Sequence, residues 1–127
     1  MEQSDFNRFV KDRGEEGASE AIGSHSAVVC LAQPGVPVIY VSDAFESHTG
    51  YRLEDVAGRS LGLLQGPDTE PEAIDHFRNL IKNGQSGTVR ITNYRKNGER
   101  FVHECELRPI LDDGKNVTHF IAIQRPV

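Results

Sequence analysis

The chain has 127 residues, of which 26% are charged and 37% hydrophobic, and its formal net charge is −5. That length holds one core and is too short for two. The acidic balance and the lack of a Lys/Arg cluster argue against nucleic acid as a direct partner. Apolar runs of a few residues rule out a membrane-spanning helix. The start, Met1 to Asp5, has neither a basic end nor an apolar h-region. The two cysteines, Cys30 and Cys105, are too few for a disulfide framework and fit a reducing cytoplasm.

In chain order, residues 4–13 predict a short amphipathic helix, with Phe6, Phe9 and Val10 on one face and Ser4 or Asp5 as cap. Gly14 to Ser26 reads as a linker, so residues 1–25 form a cap helix and linker before a core over 26–127. Ala27–Leu31 and Val38–Val41 predict two strands joined by a turn at Gln33-Pro34-Gly35. Three short helical segments follow: one from Ala44 to near Gly50, one from Leu53 to near Gly58, and Ser60 to Gln65, stopped by Gly66-Pro67. Thr69 and Glu72, at capping-box spacing with Pro71 in the first turn, predict the longest helix. Its apolar face is Ile74, Phe77, Leu80 and Ile81, and Gly84 stops it. Thr88–Tyr94, Phe101–Leu107 and Val117–Gln124 predict three more strands, with turns at Asn97-Gly98 and Asp113-Gly114. The fold class is therefore α+β: a five-stranded antiparallel sheet with helices packed on one face.

Polar residues interrupt the apolar faces of the last strands. Asn93 continues the inward row of Val89 and Ile91, and His103 lies in the row of Phe101, Cys105 and Leu107, since Glu104 and Glu106 face water. A buried polar group without a partner costs roughly 1–3 kcal/mol, so such placements call for partners. Strand 117–124 offers two candidate faces, Phe120, Ala122 and Gln124 or Ile121 and Ile123. Should both be covered, the N-terminal helix or a second copy of the chain is the expected cover. Asn93, His103 and Gln124 can bond one another or nearby backbone; on one shared face they point instead to a polar ligand. Arg78 lies along the stripe of Ile74 and Ile81, where it either snorkels to water or contacts a phosphate.

Tyr40-Val41-Ser42-Asp43-Ala44-Phe45-Glu46, Thr49-Gly50-Tyr51, Gly58-Arg59 and Leu64-Gln65-Gly66-Pro67-Asp68-Thr69 resemble the first half of light-oxygen-voltage (LOV) domains. Asn93-Tyr94-Arg95-Lys96 with Gly98, and Phe120-Ile121-Ala122-Ile123-Gln124, resemble the family's last strands. The resemblance covers residues 27–125 in the family's order. It implies the PAS fold and FMN, or sometimes FAD, held between the sheet and the short helices. It implies that Gln65, Asn93 and Gln124 bond the flavin, that Arg78 contacts its phosphate, and that Phe120, Ala122 and Gln124 face it.

The family motif Gly-Arg-Asn-Cys-Arg-Phe-Leu-Gln reads here Gly58-Arg59-Ser60-Leu61-Gly62-Leu63-Leu64-Gln65. Leu61 stands in place of the cysteine that bonds the flavin after blue-light absorption, and leucine has no nucleophile. Gly62 replaces a phosphate-contacting arginine, His103 a ring-binding asparagine, and Ser60 another asparagine. Cys105 and Cys30 read as small buried hydrophobes, although Cys105 shares the face of His103.

Three readings follow: a flavin sensor working by photoreduction or redox poise, a flavin-free dimerisation or interaction module, or a PAS domain for another cofactor. The match at Gln65, Arg78, Asn93 and Gln124 favours the first. Haem would need a ligand such as His76, which lies off the apolar stripe and reads as solvated. His25, His48 and His119 read as surface residues. No nucleophile–base pair, phosphate-cradling loop or metal cluster marks an enzyme. With no output domain after Val127, signalling is expected to pass through the N-terminal helix, a homodimer interface or a separate partner protein.

Overall fold

Strand-forming residues crowd the two ends of the core segment and short helical stretches fill its middle, and the architecture follows that division. The computed structural model describes residues 25–127. The chain runs β1 (Ser26–Leu31), β2 (Val38–Val41), α1 (Asp43–Thr49), α2 (Leu53–Val56), a 3-10 turn (Leu61–Leu64), α3 (Pro71–Asn83), β3 (Gly87–Tyr94), β4 (Arg100–Leu111) and β5 (Val117–Pro126). The strands form one antiparallel sheet in the order β2-β1-β5-β4-β3. The expected helix over 4–13 and the linker after it lie outside the described residues.

Local chemistry accounts for most boundaries. Ser42 caps α1 by accepting from the Phe45 N–H at 3.2 Å, and Gly50 ends it at φ 81°. The β3–β4 hairpin closes through Arg95 N–H to Glu99 C=O at 2.8 Å, with Gly98 at φ 89°. In the β4–β5 turn the left-handed residue is Lys115, at φ 64°, rather than Gly114. Strand β4 continues past Leu107 to Leu111 despite Pro109. Pairing with β3 ends at Gly87–Leu107, so Pro109 lies where one edge of β4 is already free.

The start of α3 corrects the capping-box reading. Glu70 is the N-cap residue and makes no side-chain cap bond, with Pro71 in the first turn. Thr69 is engaged elsewhere: its hydroxyl accepts from Gly66 N–H at 2.9 Å and donates to Thr92 C=O at 2.7 Å. The Glu70 carboxylate accepts from Thr92 N–H at 2.8 Å and from its hydroxyl at 2.7 Å. The helix start is thus tied to β3, and these bonds hold the Glu70 carboxyl below the usual carboxylate range.

Buried apolar residues form two clusters. The larger joins Val28, Val41, Phe45, Val56, Leu64, Leu80, Val89, Ile91, Leu107 and Phe120, between the helices and one face of the sheet. The second, Ala27, Val29, Tyr40, Ile110, Ile121 and Ile123, takes no residue from any described helix. Both faces of β5 are therefore buried. The expectation that residues 4–13 or a second copy covers this face falls outside the described residues.

Candidate functional site

Between the 3-10 turn, α3 and the sheet lies a cavity of about 350 Å³, inside the size range of small-molecule sites. Leu61, Leu63, Ile74, Phe77 and Ile81 supply its apolar helical wall, and Ile91, Asn93, Cys105, Ala122 and Gln124 its sheet wall. Arg59 and Arg78 line it from exposed positions.

Strand register gathers the polar residues. Ile91 pairs with His103, Asn93 with Phe101, Cys105 with Gln124, and Gln124 with Ser26. Asn93, His103, Cys105, Gln124 and Ser26 therefore form a band across β3, β4, β5 and β1. Asn93 Nδ2 lies 2.6 Å from His103 Nε2. With the amide donating, the neutral ring carries its proton on Nδ1. Among the described residues, Asn93 Oδ1 and His103 Nδ1 are the buried side-chain nitrogen or oxygen atoms without a partner. One is an acceptor and the other a donor. Buried atoms of this kind are rare in folded proteins and call for an explanation, such as a ligand.

Burial, and secondarily the nearby His48, holds the His103 imidazole down at about 4, so the ring is neutral near pH 7. Gln124 Oε1 accepts from the Ser26 hydroxyl at 2.6 Å, which leaves the Nε2 end of that amide for the cavity. Phe101 is half-buried rather than fully inward; His48 packs edge-on against it at 4.7 Å and the Arg95 guanidinium covers its face at 4.7 Å. Arg95 also donates to the His48 carbonyl.

Residues 25–126 match the family model described as PAS domain. The chain belongs to the PAS domain family. Its relatives include phototropin-2 of Oryza sativa subsp. japonica, 40% identical over 92 residues, which span 72% of this chain and 10% of the relative. A blue-light photoreceptor of Listeria innocua serovar 6a is 38% identical over 111 residues, 85% of this chain and 44% of the relative. This PAS domain thus spans less than half of those proteins. Among solved structures, the dark structure of the blue-light photoreceptor Aureochrome1 LOV superposes with a TM-score of 0.83 at 30% identity, covering 90% of this chain and 83% of that one. A LOV domain from a blue-light activated histidine kinase of Erythrobacter litoralis superposes with a TM-score of 0.75 at 35% identity, covering 79% and 93%. The LOV/PAS fold is therefore the architecture of this chain.

The site residues expected from the sequence of this PAS domain fall into three groups. Asn93, Gln124, Gln65, Arg78, Ser60 and Leu61 all line the cavity. Asn93 and Gln124 are buried; Gln65, Arg78 and Ser60 are exposed, and Leu61 is half-buried. His103 does not line it, but stands beside Asn93 and bonds its amide. Phe120 lines an adjoining groove instead. Cys105 does line the cavity, and burial pushes its thiol up to about 12, as it does that of Cys30. His76 is exposed, and the described residues hold no group of three His, Cys, Asp or Glu able to bind a metal.

The reading of His25, His48 and His119 as surface residues is corrected: all three are half-buried, and the packing of His48 against Phe101 is the reason in its case. Sequence reasoning also missed two residues. Ser26 gave no signal because its partner Gln124 is 98 positions away. Arg59 appears in the Gly-Arg motif, but its place in the cavity wall depends on how that loop docks against β2.

Proposed function

We propose that this PAS domain is a flavin-binding sensor that holds FMN, or FAD, without a covalent bond and responds to blue light or redox state. The observation that carries the proposal is Asn93 Oδ1, a buried acceptor without a partner on a residue that lines a largely apolar cavity. Such an acceptor complements the ring N–H of an imide edge, and the Gln124 amide on the same wall offers a donor to a ring carbonyl or nitrogen. The residues present therefore fit the group. A bound flavin would supply light absorption and exchange of electrons and protons.

The chain's own residues set the outcome. Asn93 would orient the polar ring edge, with His103 holding the Asn93 amide, and Arg78 would meet the phosphate. Gln65 would add a polar contact from the helical side. Leu61 lines the cavity without a nucleophile, so the response proceeds without a cysteinyl adduct. Gln124 can exchange the donor end of its amide for the acceptor end when a nearby ring atom gains a proton. The Ser26 hydroxyl can serve either end, because it both donates and accepts. Since β5 lies at the centre of the sheet, a rotation of Gln124 reaches β1 and β4 directly. The receiver of that signal would be a second copy, a partner protein or a further domain, as in the blue-light activated histidine kinases among its relatives.

The test is an absorption spectrum of the purified protein, before and after blue illumination with a reductant, with and without added FMN. A structured blue band that bleaches in light, with flavin released on denaturation, supports the sensor. A colourless protein that takes up no FMN sinks it and leaves a PAS interaction module. A haem band would redirect the reading to another cofactor.

A further inference from the structure

We infer that Arg59 is a second phosphate-binding residue of the cavity, gripping with Arg78 the anionic tail of a phosphorylated ligand; the inference rests on the flavin reading above.

Arg59 and Arg78 are the two cationic residues that line the cavity, and both are exposed. The chain is acidic, and most of its described arginines have carboxylate partners: Arg52 with Glu54, Arg95 with Glu99, Arg100 with Asp68, and Arg108 and Arg125 with Glu106. Among the described residues, Arg59, Arg78 and Arg90 have none. Two of these three guanidinium groups, those of Arg59 and Arg78, line the cavity that also holds the unpartnered amide oxygen of Asn93, and Arg90 lies on β3 outside its lining. A ligand with a polar ring at one end and an anion at the other would satisfy both ends.

The backbone holds Arg59 in place for this role. Its N–H donates to Val56 C=O at 2.9 Å and its C=O accepts from Val38 N–H at 2.9 Å. On either side, Gly58 N–H donates to Val38 C=O at 2.8 Å and Ser60 bridges to Pro37. The loop is therefore laced to β2, and the Arg59 side chain alone has to adjust. On the same wall, Gly62 offers no side chain, and the Gln65 amide lies 3.1 Å from where its Cβ would be. A guanidinium fork suits phosphate oxygens, and a pair of them shares a phosphate charge of about −1.5 to −2.

The experiment measures dissociation constants of the full chain for FMN and for riboflavin, which lacks the phosphate, by quenching of flavin fluorescence. Arg59→Gln and Arg78→Gln should each weaken FMN about 10- to 100-fold and leave riboflavin unchanged. Arg59→Lys should fall between wild type and Arg59→Gln. Arg90→Gln is the charge control, since Arg90 is exposed on β3 away from the cavity lining, and it should change neither constant. Equal loss of FMN and riboflavin in Arg59→Gln, or no loss of either, overturns the role of Arg59 alone. Wild type binding riboflavin as tightly as FMN overturns the phosphate grip of both arginines while leaving a flavin in the cavity. Wild type binding neither overturns the flavin reading and this inference together.

Discussion

At the scale of single residues, His103 shows how one buried ring links the site to stability. Unfolded, its imidazole titrates near 6.5; folded, burial holds it at about 4. Between those values the unfolded chain binds the extra proton. The contribution is therefore fully present above pH 6.5 and is lost as pH falls toward 4, by ~3 kcal/mol. His48, also lowered by burial and then by Arg95, acts in the same direction. Urea unfolding at neutral pH and at about pH 4.5 should show a shallower pH slope for His103→Asn than for wild type, and an unchanged slope would remove His103 as the source. Leu61→Cys tests the other side of the cavity. It should confer blue-light bleaching that needs no reductant and reverses in the dark, whereas wild type bleaches under blue light only when a reductant is present. The native Cys105 cannot substitute, because a thiol held at about 12 provides almost no thiolate.

At the scale of elements, the join between α3 and β3 depends on Thr69. Its hydroxyl serves Gly66 N–H and Thr92 C=O from a buried position. Thr69→Val keeps the shape and strands both groups, so it should cost about 1–3 kcal/mol. In a domain this size that lowers Tm by roughly 4–8 °C for each kcal/mol. Calorimetry showing an unchanged Tm would mean that water replaces the hydroxyl. The capping-box reading failed here for a physical reason. Thr69 and Glu72 have the right spacing, but the helix begins one residue later, with Glu70 as N-cap, and the Thr69 hydroxyl turns instead to Gly66 N–H and to Thr92 C=O on a strand 23 residues away. Local pattern did place every described strand and helix, because alternation, the 3.6-residue stripe and Gly or Asn-Gly stops are short-range signals.

At the scale of the whole molecule, the sheet is buried on both sides along β5. Ile121 and Ile123 are fully buried in a cluster separate from the cavity side. Ile121→Ala should therefore cost as much as truncating a residue of the main core, about 2–5 kcal/mol by urea unfolding. A loss near that of exposed Val102→Ala would show that this face is not a core. The alternation of β5 left the buried face open, since apolar residues occur on both sides; only the packed sheet shows that both are covered.

The sequence by itself determined the order and type of the elements, the hairpin at Asn97-Gly98, and the polar residues out of step on β3 and β4, because each is a matter of neighbours along the chain. Tertiary structure decided which of those residues meet. The strand register brings Asn93 to His103 across ten positions and Gln124 to Ser26 across 98. The loop clamp to β2 carries Arg59 to the cavity. Such contacts depend on the alignment of segments distant in sequence, which hydrophobic periodicity within one segment does not encode.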